Sequence, residues 1–206
     1  MNRVPILVVF LVAGLLASFA SGAAAQCFIS GEISAAPSGD PALPAWKYTL
    51  EVTWDTGSRY AVSHIDLLLD PVGGTCSCRD FRDVLTYFEP AGSSAGETSG
   101  ESGPCTVPWD AFLECKGDPS IPGVDGILLK FEPGGPTCEP GTAGTASIDF
   151  YSDLGPVPVD EDIISMVDKF GLHYCFGSLT GVFPGLACNP VPNEGATWGT
   201  VKGLYR

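Results

Sequence analysis

Two histidines, one G-x-S-x-G stretch, one run of acids and eight cysteines are the residues of this chain with chemistry to offer. Gly92-Ser93-Ser94-Ala95-Gly96 has the spacing of a nucleophile elbow, in which Ser94 would attack an acyl carbon with His173 as base. An elbow needs a strand before the serine and an apolar-faced helix after it. The following stretch, Glu97 to Pro104, is Gly, Ser and Glu and cannot make that helix. Ser94 therefore reads as part of a Gly/Ser-rich surface loop, and an extracellular hydrolase is the weakest of the functional alternatives. His64 shares a strand face with Val62, Asp66 and Leu68, which suits a hydrogen-bonded structural histidine. His173, beside Cys175, reads the same way.

Asp160-Glu161-Asp162 is an acidic cluster with Asp153 close by in sequence. Carboxylates are hard oxygen ligands suited to calcium, and Asp153, Asp160 and Asp162 are the candidate ligands. The EF-hand spacing is missing, so a solvated helix start is the simpler expectation, and calcium is the one cofactor considered. Zinc is not expected, because the chain has one C-x-C and lacks paired C-x₂-C units. Among the aromatics, Trp46 and Trp54 fall in register with core positions. Trp109 (after Pro108 in an expected loop), Tyr60 and Tyr151 are the candidate sugar-stacking residues, since such rings are apolar with a polar edge.

The cysteines are Cys27, Cys76, Cys78, Cys105, Cys115, Cys138, Cys175 and Cys188. All follow an N-terminal segment with the form of a secretory signal: Arg3, an apolar run from Val4 to Leu16, then Ala23-Ala24-Ala25. Cleavage is expected after Ala25. An even count in an exported chain implies disulfides. By spacing, Cys105 pairs with Cys115, Cys175 with Cys188, and Cys27 and Cys138 with the Cys76/Cys78 pair. Gln26 and the upstream alanines do not fit a lipobox, so Cys27 is read as a bridge partner.

The net charge is −14, and signal removal takes away only one basic residue, Arg3. Without clustered Lys and Arg, the chain repels nucleic acid and anionic membranes. No second long apolar run exists, so no transmembrane segment is expected in the mature chain.

The abundance of glycine and proline (26 and 18) favours short strands and turns. Trp46 to Asp55 alternates almost without fault, with Trp46, Tyr48, Leu50, Val52 and Trp54 on one face. Further strands are expected over 61–69, 84–88, 126–131, 145–151 and 172–183, with a mobile loop over 89–104. Ile163, Ile164, Val167 and Phe170 suit a short helix near 160–170. The fold class is all-β: a disulfide-stapled antiparallel β-sandwich, Ig-like or jelly-roll-like. The domains are a signal peptide (1–25), a sandwich (26–188), and a Pro/Gly linker with tail (189–206).

The tail Thr197-Trp198-Gly199-Thr200-Val201-Lys202-Gly203-Leu204-Tyr205-Arg206, with W-D-T-G at Trp54 to Gly57 and K-F-E-P at Lys130 to Pro133, resembles uncharacterised Cys-rich exported bacterial proteins that end in this kind of tail. The resemblance implies bacterial origin and a sorting role for the tail. It carries no activity and no catalytic residue. The expected function is a secreted or surface-displayed, non-enzymatic structural or adhesive protein with a cell-surface or glycan partner. A carbohydrate-binding module is the main alternative.

Overall fold

The computed structural model describes residues 27–70, 76–98, 103–135, 137–159, 161–169 and 173–186. The expected signal peptide, the linker and tail, Cys188 and Asp160 lie outside them. The elements are β1 (Phe28–Pro37), β2 (Trp46–Asp55), β3 (Val62–Asp70), α1 (Cys78–Val84), β4 (Gly92–Thr98), β5 (Pro104–Glu114), β6 (Ile127–Pro133), β7 (Cys138–Pro140), β8 (Ala143–Ser152), β9 (Pro156–Pro158), β10 (Glu161–Asp168) and β11 (Tyr174–Pro184).

Nine of the strands close into a barrel in the order β1-β2-β8-β4-β5-β6-β3-β10-β11, and β11 returns to β1. This corrects the sandwich expected from sequence. Alternating apolar faces are common to both architectures. What separates them is the pairing of β1 with β11, and those strands start almost 150 residues apart. Every wall pairing is antiparallel except β1–β11, which is parallel. A ring of nine strands cannot alternate direction all the way round, so an odd barrel must contain one parallel seam.

The interior is filled by side chains. Tyr48 stacks on Phe150 at 5.2 Å, and Trp54 meets Trp109 edge-on at 5.7 Å. Leu50, Phe131, Ile148 and Phe81 complete the buried centre. The outward positions of β2 are Lys47, Thr49, Glu51, Thr53 and Asp55. On β2, apolar inside and polar outside is the reverse of the strands of a lipid-embedded barrel, which are apolar on the outer band. Among the described residues no helix is long and apolar enough to cross a membrane.

Three further expectations change. Residues 161–168 form a strand, not a helix: Ile164 and Met166 face the core while Val167 is buried on the outer side. Burial on both faces removes the period-two signal and leaves an apolar run that also fits a helix. The expected strand over 84–88 is instead the end of α1 and a single bridge, Thr86 to Tyr151. Helix α1 starts at a capping box: the Ser77 side chain accepts from the Asp80 amide, and Asp80 accepts from the Ser77 amide at 2.7 Å. The expected mobile loop contains β4, hydrogen-bonded to β5, β7 and β8.

The bridges also differ from those inferred by spacing. They are Cys27–Cys175, Cys78–Cys115 and Cys105–Cys138, and Cys76 is disulfide-bonded as well. Spacing favours near neighbours in sequence, whereas these bonds join neighbours in space: β1 to β11, α1 to the end of β5, and β5 to β7. Cys105 and Cys115 stand at opposite ends of one extended strand and cannot reach each other.

The parallel seam has one repeated offset. Ser30 pairs with Ser178, and the Cys27–Cys175 bond spans the same 148 positions. Gly177 and Gly181 keep that offset from Ile29 and Ile33. A Cβ at Gly177 would lie 1.7 Å from the Ile29 carbonyl oxygen, and one at Gly181 would lie 2.0 Å from that of Ile33. The two backbones can run this close only because β11 carries no side chain at those two points.

Candidate functional site

On the outer wall, β10, β3 and β6 lie side by side, with Ser165, Asp66 and Lys130 in register. His64 lies two residues from Asp66 on the same face. The segment 115–126 between β5 and β6 folds over this wall. Its base is closed by the Gly117 amide donating to the Gly126 carbonyl at 2.7 Å. Its Ile121 and Val124 pack on Leu68, Leu128 and Val167 in a second apolar cluster outside the barrel. That cover seals polar residues against the wall: His64 is 5 % exposed, Asp66 0 % and Asp118 3 %.

Asp118 is the hub. Its Oδ2 accepts from Lys130 Nζ at 2.8 Å, and its Oδ1 accepts from the Ser120 amide at 2.6 Å. His64 Nε2 stands 2.9 Å from the same Oδ2, but without hydrogen-bond alignment. It is also 3.7 Å from Asp66 Oδ2. Lys130 reaches Glu132 at 3.3 Å as a second partner. Neither oxygen of Asp66 has a hydrogen-bond partner.

These surroundings set the charges. Burial, and then the negative charge of Asp118, push the Asp66 carboxyl up to about 8. Burial, and then Lys130, lower the His64 imidazole, so it is neutral near pH 7. Burial opposes ionisation of Asp118, but the hydrogen bonds from Lys130 and Ser120 outweigh it and hold that carboxyl below its ordinary range. Burial likewise opposes the charge on Lys130, and its bond to Asp118 outweighs it, leaving the ammonium raised.

The second histidine also meets an acid. His173 Nδ1 and the Ser58 hydroxyl share Asp168 Oδ2, at 2.9 and 3.0 Å. The serine therefore meets the carboxylate and not the imidazole, which is not the relay of a nucleophilic triad.

Ser94 sits within β4, buried, and its hydroxyl accepts from Trp109 Nε1 at 2.9 Å. It is a partner for a core tryptophan and has no elbow. Trp109, expected in an exposed loop, is 0 % exposed on β5. Val107, Trp109, Ala111 and Leu113 alternate inward, a signal that Pro108 disguises. Tyr60 is half-buried with the Arg59 guanidinium 4.9 Å above its ring. Tyr151 is half-buried and edge-on to Phe88 at 5.7 Å. The three sugar candidates are thus not brought together. Of the calcium candidates, Asp153 accepts from the Ala45 amide at 3.0 Å, and the Asp162 side chain is outside what is described. Among the described residues, His64, Asp66 and Asp118 form the group whose ligand atoms lie within metal-sharing distance.

Of the exposed aromatics that sequence reading missed, Phe88 lies beside Tyr151, Phe112 lies on β5, and three cluster at the seam. Tyr174 and Phe176 are 41 % and 46 % exposed and meet edge-on at 6.1 Å. Phe28, 50 % exposed, stands opposite Phe176 at the seam's offset of 148. Their alternation with the inward cysteines was the available signal. A shallow depression of about 410 Å³ elsewhere on the wall is lined by Glu51, Ser93, Ser94, Thr106, Thr145 and Ser147 among others, and neither histidine borders it. The disulfides and the lack of a membrane-crossing helix among the described residues are compatible with an extracellular location. Comparison of the chain with protein-family models, with curated proteins and with solved structures finds no match.

Proposed function

We propose that this chain is a secreted or surface-displayed, non-enzymatic adhesive protein that contacts carbohydrate through the aromatic cluster at its parallel seam. The observation that carries this reading is the exposure of Phe28, Tyr174 and Phe176 beside the Cys27–Cys175 bridge. Exposed aromatic clusters cost solubility and mark contact surfaces. Sugar rings present apolar C–H faces that stack on such rings, and their hydroxyls need polar neighbours. Ser30 and Ser178, next along the seam, supply hydroxyls. The bridge and the close backbone packing keep the cluster rigid, so little ordering cost falls on binding. The non-enzymatic part rests on Ser94 being buried against Trp109 and on Asp168 separating Ser58 from His173.

The test is retention of the oxidised protein on a glycan array and on insoluble polysaccharides. The wild type should be retained, and Tyr174→Ala/Phe176→Ala should lose at least about tenfold in affinity with an unchanged fold, since exposed substitutions shift stability by about 0.5 kcal/mol or less. Wild-type protein that binds no glycan, or a double variant that binds undiminished, would count against the reading.

A further inference from the structure

We infer that His64, Asp66 and Asp118 form a binding site for one divalent transition-metal ion of the zinc type, which clamps the 115–126 segment to the barrel wall. The atoms left without hydrogen-bond partners are His64 Nε2 and both oxygens of Asp66. These are the ligand atoms such a site requires. A buried polar atom without a partner costs about 1–3 kcal/mol, and a cation answers all of these at once. The spacing also fits. Ligands bound tetrahedrally at about 2.0–2.1 Å stand roughly 3.3 Å apart. The observed separations from His64 Nε2 are 2.9 Å to Asp118 and 3.7 Å to Asp66.

Charge points the same way. Bound to the ion as carboxylates, Asp66 and Asp118 bring two negative charges that a divalent ion balances, while Lys130 and Glu132 balance each other. Lys130 already has Glu132 at 3.3 Å as an alternative when the ion takes Asp118 Oδ2. One imidazole with two carboxylates suits zinc and its first-row neighbours. Calcium prefers six to eight oxygens, more than this enclosed set provides. The ligands come from two places, His64 and Asp66 on β3 and Asp118 on the covering segment. Binding therefore ties cover to wall.

The experiment uses the full oxidised protein, stripped with chelator and then titrated with Zn²⁺ by calorimetry, with thermal unfolding followed by circular dichroism. One equivalent should bind and raise the thermal midpoint, while Ca²⁺ at the same concentration should do neither. His64→Ala and the near-isosteric Asp66→Asn should each weaken binding at least about tenfold, since even outer-sphere losses at metal sites cost 10–100-fold. His173→Ala should bind as the wild type does. Hydrogen exchange in the 115–126 segment should slow when Zn²⁺ is added. The proposal is overturned if the stripped protein takes up no Zn²⁺. It is equally overturned if binding survives both His64→Ala and Asp66→Asn while the variants keep native circular dichroism. Tyr174 and Phe176 lie one strand from this cluster, across β10, and supply none of its ligand atoms. Tyr174→Ala/Phe176→Ala should therefore leave Zn²⁺ uptake unchanged, and Asp66→Asn should leave glycan retention unchanged, which keeps the failure of one reading distinguishable from that of the other.

Discussion

Asp66 is held inside the protein with Asp118, Glu132 and Glu114 acting against its charge, and Lys130 in favour. Its carboxyl titrates near 8 when folded and near 4 when unfolded. Below about pH 4 both states hold the proton. Between about 4 and 8 the unfolded metal-free chain releases a proton that the folded one keeps. Stability must then fall as pH rises, by at most about 1.4 kcal/mol per pH unit, and level off above about 8. Urea unfolding in chelator should show this decline in the wild type and a flatter profile in Asp66→Asn, which should be the more stable of the two at pH 8. A second residue-scale expectation concerns Ser94. Ser94→Ala leaves Trp109 Nε1 buried without an acceptor and should cost about 1–3 kcal/mol in denaturant unfolding. Part of the site could be read from the sequence, because strict alternation puts His64 and Asp66 on one face. Asp118 and Lys130 could not be placed beside them. One comes from a covering segment and the other from a neighbouring strand, and neither register nor cover is encoded by local period.

At the scale of elements, the seam between β1 and β11 is the most exacting contact. Gly177→Ala drives a methyl group into the Ile29 carbonyl, and the backbone, not a flexible side chain, has to move. A loss of about 3 kcal/mol is expected in equilibrium unfolding, at the upper end for overpacking. The Cys27–Cys175 bond closes a loop with a sequence separation of 148, and the Cys105–Cys138 bond one of 33. On loop-closure grounds, replacing the first pair by alanine should cost about 5 kcal/mol and the second about 4 kcal/mol, measured as midpoint shifts in guanidinium. Strand β2 was legible to the residue, because Tyr48, Leu50, Val52 and Trp54 face a dry core and their neighbours face water. Strand β10 was not, because it is covered on both faces. Strand β4 was hidden for another reason. A Cβ at Gly92 would lie 2.1 Å from the Ser147 carbonyl, so tight sheet packing selects the small residues that read as loop.

For the whole molecule, closure decides how the chain folds and what it presents. The ring forms only when segments from its two ends meet, and such distant pairings are slow because loop closure precedes any gain. Refolding from urea with the bridges intact should therefore be faster than refolding of the reduced chain, as stopped-flow tryptophan fluorescence can measure. Composition and alternation announced sheets and cross-links. The parity of the ring was not announced, since it arises from one pairing among nine. That parity gives the barrel a front and a back. Because β11 runs alongside β1 in the same direction, the chain enters at the rim of Cys27 and leaves at the opposite rim near Pro184. An all-antiparallel barrel with an even strand count has entry and exit at one rim. Here a short linker cannot join them: it must span roughly 35 Å, the length of an 11-residue strand. Any anchorage following residue 186 then grips the back of the barrel and leaves Phe28, Tyr174 and Phe176 on the forward rim, facing away from whatever holds it.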